Sequence, residues 1–256
     1  MGGQNTTRSR GVNVIESQRR WWADAVFRPY LTYLMRRHFR GIYCWKEPLE
    51  INDDYPILLV PNHTTWWDGF LVYLLNDRFT RREIYMMMLE EQLARYWFFR
   101  FLGAFSIRPG NPGEIRKSLN YAATLLAEKN QSPTLLCIFP QGELQPLNER
   151  PLDFRRGIEL VMKLYGDPVN LLPLGLYAGF FHSRRPEVYC RFGENHIMEW
   201  TQFPGVSWLE DEVTQLLQAL EASAGSAAMN WMSVLSSRNN PLKRLLPWEN
   251  PDGEGA

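Results

Sequence analysis

Short apolar runs at residues 57–60, 84–88, 103–108, 134–139, 170–177 and 187–192 alternate with stretches whose apolar residues recur at helical spacing. Runs of that length, bounded by polar and glycine-containing loops, read as buried strands, and strands that alternate with helices specify a sheet with helices packed on it. The helical patterns fall at 70–75, 91–101, about 114–129, 157–165 and 207–222, the last with Leu209, Val213, Leu216, Leu217 and Leu220 on one face. The predicted fold is α/β, a central mostly parallel or mixed sheet flanked by helices. In open sheets of this kind reactive groups collect just beyond the strand ends.

Three of those ends carry polar groups that a single reaction can use. Directly after 57–60 comes Asn62-His63-Thr64-Thr65-Trp66-Trp67-Asp68-Gly69. A histidine takes a proton from an alcohol near neutral pH only if its ring is held in one tautomer, and a neighbouring carboxylate holds it by accepting the other ring N–H. His63 and Asp68 are therefore a candidate base and its orienting acid. Alone, such a pair is as readily a structural hydrogen bond, so the reading depends on the other strand ends. Run 103–108 finishes in Arg108, suited to bidentate contact with a phosphate. Run 134–139 leads into Pro140-Gln141-Gly142-Glu143, and Phe154-Arg155-Arg156-Gly157 follows, which adds glycine-permitted curvature, an acid and two arginines. His38, His182 and His196 lack such surroundings and are expected to be structural or exposed. No zinc-type ligand spacing and no phosphate-cradling Gly-rich Lys-Ser/Thr loop is present, so no metal site is expected.

Ahead of the alternating region, Trp22, Val26, Tyr30, Tyr33 and Leu34 recur at helical spacing among arginines. Pro29 is expected to interrupt the pattern, giving two short amphipathic helices or one kinked helix. Residues 1–40 hold eight arginines against only Glu16 and Asp24, which favours an anionic surface. The whole chain balances 28 basic against 28 acidic residues, so no field for nucleic acid is indicated. Tryptophan and tyrosine beside arginine suit the headgroup level of a bilayer. Three scattered cysteines, Cys44, Cys137 and Cys190, cannot all pair within the chain and fit a reducing compartment. No apolar run reaches the ~18 residues of a membrane span, and the start lacks a signal peptide's apolar core. The expected organisation is a disordered leader (1–13), an amphipathic helical membrane-docking segment (14–45), one domain (46–247) and a frayed tail (248–256). The expected location is the cytoplasmic face of a membrane, peripheral or monotopic.

Taken in order, these motifs resemble those of the glycerolipid acyltransferase family, the lysophosphatidic acid acyltransferase-like proteins, over roughly residues 57–180. His63 and Asp68 match its His-x4-Asp block, and 103–108 is similar to its second block, with Arg108 at the acceptor-binding arginine. Phe139 to Glu143 is similar to its Phe-Pro-Glu-Gly-Thr block, and Leu172-Pro173-Leu174 to its fourth, proline-centred block. The Phe154–Gly157 stretch matches a Phe-basic-basic-Gly sequence common in the family. Two positions depart: Gln141 stands in place of glutamate and Glu143 in place of threonine. The resemblance implies a glycerol-3-phosphate acyltransferase-like fold and direct transfer of a fatty acyl group to the hydroxyl of a lysophospholipid-type acceptor. The co-substrate would be acyl-CoA or acyl carrier protein, with no cofactor. It implies His63 as general base, Asp68 as orienter, and Arg108, Gln141, Gly142, Glu143, Arg155, Arg156 and Pro173 as substrate-binding residues. The altered third block leaves open a non-phosphate lipid hydroxyl, that of a glycolipid or isoprenoid glycoside. A catalytically silent lipid-binding protein and a thioesterase are the alternatives from other classes.

Overall fold

The apolar runs pair into a nine-stranded sheet in a computed structural model that describes residues 14–128, 133–181, 183–226 and 230–236. The leader, the tail and His182 lie outside the described residues. Five strands run parallel in the spatial order β4 (Ala104–Ile107), β3 (Ile84–Leu89), β5 (Leu135–Cys137), β2 (Ile57–Pro61) and β6 (Val169–Gly179). Beyond β6 the direction reverses. β7 (Glu187–Phe192) is antiparallel to β6, β1 (Gly41–Trp45) is parallel to β7, and β9 (Trp231–Ser236) is antiparallel to β1. A three-residue strand, β8 (His196–Met198), pairs with the start of β6. The fold is thus the expected mixed α/β sheet.

Side chains of a strand alternate between faces, and β2 feeds both. Ile57 and Leu59 join the layer under α1 (Trp21–His38) and α2 (Asp68–Leu75), with Phe27, Leu31, Met35 and Leu71. Leu58 and Val60 join the opposite layer, under α4 (Pro112–Leu126), α5 (Gly157–Tyr165) and α6 (Val206–Ser223). All five β2 residues are buried, which is why the run reads as uninterruptedly apolar.

Four features depart from the sequence reading. α1 is one helix that runs through Pro29, whose side is solvent-facing. Its buried stripe is Ala23, Phe27, Leu31 and Met35, one residue round from the predicted stripe, so Trp22, Val26, Tyr30 and Tyr33 face outward. The predicted helix 91–101 divides into α3 (Glu90–Arg95) and a 3-10 segment, Trp97–Leu102. The tighter segment ends at Gly103, where φ is +105° and an added Cβ would lie 2.0 Å from the Ile84 carbonyl oxygen, so only glycine turns the chain into β4. Finally, β1, β8 and β9 are additional to the predicted strands, and β1 lies within the segment expected to be a helical membrane-docking one. The β4 edge is covered by residues 15–20: Ser106 N–H donates to Ile15 O at 2.9 Å, and Arg20 N–H to Phe101 O at 2.9 Å.

Candidate active site

The end of β2 and the start of α2 are joined by a loop organised around one carboxylate. Asp68 is 1% exposed, and its Oδ2 accepts from the Thr64 N–H at 2.7 Å, the Thr65 N–H at 2.8 Å and His63 Nδ1 at 2.9 Å. Its Oδ1 accepts from the Thr65 hydroxyl at 2.6 Å. Asp68 opens α2 and reaches back across the turn before it, holding both the N–H and the hydroxyl of Thr65. The same acid also orients the histidine. A carboxylate only accepts, so His63 Nδ1 carries a hydrogen, and in the neutral ring Nε2 holds the lone pair. Phe139, just past β5, stacks on the imidazole with ring centroids 4.2 Å apart. Asn62, fully buried, ties this end of β2 to β6 by exchanging two hydrogen bonds with the Leu176 backbone, at 3.0 and 2.7 Å.

The backbone of His63 is held from the other side by the loop after β5. The His63 N–H donates to Gln141 Oε1 at 2.5 Å, the Gln145 N–H donates to His63 O at 3.0 Å, and Gln141 Nε2 donates to Gln145 Oε1 at 2.5 Å. Gln141 is 1% exposed and does not face the cavity beside His63. The structure therefore places it behind the histidine, as a positioning residue. Gly142, at φ +75°, lets the loop turn, and an added Cβ would come within 3.1 Å of the Arg155 guanidinium. Its N–H is taken by Phe139 O at 3.1 Å.

His63 opens onto an apolar cavity of about 410 Å³ that runs past the ends of β3, β4 and β5. Gly142, Glu143 and Arg155 line its mouth. Arg108 sits between two lining residues, Ile107 and Pro109, and its guanidinium pairs with Glu90. Arg155 pairs with Glu143 at 3.0 Å. Arg156 points to solvent, 3.5 Å from Glu159. So the structure brings His63, Asp68, Gly142, Glu143 and Arg155 together, places Arg108 at the margin, and leaves Arg156 outside. Pro173 is buried inside β6 and does not line the cavity. It stands where the β6 edge passes from its β8 partner, ending at Leu171, to its β7 partner, starting at Leu174. A residue without an N–H fits that gap.

Thr65, Gln145 and Glu90 are site residues that the sequence motifs do not single out. Thr65 stands within the loop from His63 to Asp68, and the other two are brought in by tertiary contact alone. His38 stacks on Trp67 at 4.8 Å, and His196 lies 3.8 Å from Glu212, neither at the cavity. Among the described residues no group of three His, Cys, Asp or Glu side chains could hold a metal ion. No helix among them is long and apolar enough to cross a membrane.

A sequence model described as Acyltransferase matches residues 45–176, just over half of the chain, a span that includes His63, Asp68, Arg108, Gln141, Glu143 and Arg155. No curated protein and no solved structure matches the chain.

Proposed function

The chain belongs to the acyltransferase family and is a transferase enzyme; from that premise we propose that it moves a fatty acyl group from acyl-CoA or acyl carrier protein to a lipid hydroxyl at a membrane surface. The observation that carries this reading is the placement of His63: Nδ1 bonded to Asp68 and the ring lining an apolar cavity, which leaves Nε2 to act on an acceptor. As the acceptor oxygen attacks the thioester carbonyl carbon, its proton passes to His63 Nε2. Asp68 stabilises the imidazolium that forms. Collapse of the tetrahedral oxyanion breaks the C–S bond, and the leaving thiolate takes the proton back from Nε2. Within the third block the Gly142 N–H is already committed to Phe139, so the proposed oxyanion donors are the next two backbone N–H groups, of Glu143 and Leu144.

Two acceptor chemistries compete, and one observation favours one of them. Arg108 and Arg155, the arginines at the cavity, each pair with a glutamate, Glu90 and Glu143 respectively. A lysophospholipid-type acceptor would lie in the cavity beside these arginines. A phosphate monoester must compete with two carboxylates for them, whereas a zwitterionic or uncharged headgroup need not. The ion pairs thus favour an acceptor without a free phosphate monoester.

The test is a labelled acyl-CoA assay over lyso-lipids and glycolipids with purified protein and vesicles. Ester formation that falls about 10²–10⁴-fold in His63→Ala is expected. Wild-type turnover in that variant would end the general-base reading. Fatty acid release without ester would identify a thioesterase, and no release at all a silent lipid-binding protein. Glu143→Thr is expected to improve use of phosphate-monoester acceptors relative to the others.

A further inference from the structure

The residues that line the cavity beside His63 fall into two sets, or arms, one on each face of the sheet. Successive side chains of β3 point to opposite faces of the sheet, and the cavity touches both sets. Ile84 and Met86 belong to the layer under α1 and α2, where Phe70, Tyr73 and Phe99 also line the cavity. Met87 belongs to the layer under α4 and α5, where Ile115, Leu119 and Ile158 line it. Ile138 and Phe139 repeat the split one strand away, the first in one layer and the second in the other. The arms therefore straddle the strand ends and meet beside the imidazole that stacks on Phe139.

Their surroundings differ. The first arm follows β3 from Leu89 back to Ile84, about 16 Å at 3.3 Å per residue. Its lining includes Phe27 and Tyr73, whose hydroxyl bonds to Asp24. The second arm lies next to Glu143, Arg155 and Gly157, at the charged part of the mouth. A thioester donor needs only its hydrocarbon sheltered, with its large polar carrier left outside. An acceptor presents its hydroxyl, its polar headgroup and its tail within a few bonds of one another, and needs charged and apolar surroundings side by side.

We propose that the arm against α4 and α5 is a second lipid-chain site, which holds the tail of a single-chain lipid acceptor while the arm under α1 and α2 holds the donor's acyl chain. This rests on the acyl-transfer reading above. Each tail methylene removed from water strengthens binding about fourfold. For short-tailed acceptors supplied as monomers in water, without vesicles, acceptor KM is therefore expected to fall by about that factor per methylene until the arm is full.

Cross-linking tests the assignment without turnover, in the His63→Ala protein. A lysophosphatidylcholine with a mid-chain diazirine is expected to label Ile115, Leu119 or Ile158. A diazirine-bearing acyl-CoA is expected to label Phe70, Tyr73 or Phe99. Lyso-lipid label on Phe70 or Tyr73, or only on outward residues such as Trp22 and Trp97, overturns the proposal. In the active protein, Ile115→Trp is expected to raise KM about tenfold for a long-tailed acceptor and little for a short-tailed one, with the donor-length profile and melting temperature unchanged. A shift in the donor profile instead overturns it. Label in the second arm together with absent ester formation would leave this site standing and remove the acyl-transfer reading.

Discussion

At the scale of single residues the site turns on Asp68, which holds a helix start and a histidine tautomer with the same two oxygens. Asp68→Asn supplies an N–H₂ where one oxygen must accept, so it is expected to cut turnover by at least about 10²-fold through a misheld His63. The four bonds to the buried acid are charge-assisted, and losing them is expected to cost about 2 kcal/mol or more in denaturant unfolding. Gln141 acts one step further back. Gln141→Leu leaves the His63 N–H without its acceptor and is expected to lower kcat with little change in KM, because Gln141 faces away from the cavity. Gln141→Glu keeps an acceptor for that N–H and is expected to retain more activity than Gln141→Leu. His63, Asp68 and Gln141 were all legible as site residues from their place after apolar runs. Their division of labour was not, because which face of a loop a side chain takes depends on the strand packed beside it.

At the scale of elements, α1 carries two apolar faces. Phe27 is packed among Phe70, Tyr73 and Phe99, and Phe27→Ala is expected to destabilise the fold by about 3–5 kcal/mol. Trp22 and Tyr30 face outward, near the exposed Trp97 and Phe98 of the 3-10 segment. Replacing Trp22 and Tyr30 by serine is expected to weaken flotation with anionic vesicles while leaving the melting temperature nearly unchanged. Unaltered flotation would remove this face as the membrane-docking surface. Tyr73 joins α2 to α1 through Asp24, and burial first, then that hydrogen bond, pushes its phenol above the usual tyrosine value. A raised pKa in the fold means stability that is complete below the unfolded value, 10.0, and is lost as pH climbs beyond it. Melting temperature is therefore expected to drop above about pH 10, and less steeply in Tyr73→Phe.

At the scale of the molecule, the N-terminal region belongs to the folded body. Residues 15–20 cover the β4 edge, α1 supplies core, and β1 lies between β7 and β9. Deleting residues 1–40 is expected to abolish cooperative unfolding and near-ultraviolet circular dichroism. A cooperative melt in that deletion would show the region to be a separable appendage. Docking is accordingly tested by point substitutions on the outward face of α1.

The sequence by itself determined the α/β class, the parallel strands at 57–60, 84–88 and 134–139, and the His63/Asp68 pair. Each of these follows from local periodicity or from neighbours within five residues. Only the tertiary structure decided the rest: that Gln141 and Gln145 brace His63, that Arg108 and Arg155 each meet a glutamate, that Pro173 fills a gap in a strand edge, and that both faces of the sheet contribute lining to one cavity. These depend on residues far apart in the chain, such as Glu90 and Arg108, and a local pattern records a residue's own face and spacing but not what is packed against it.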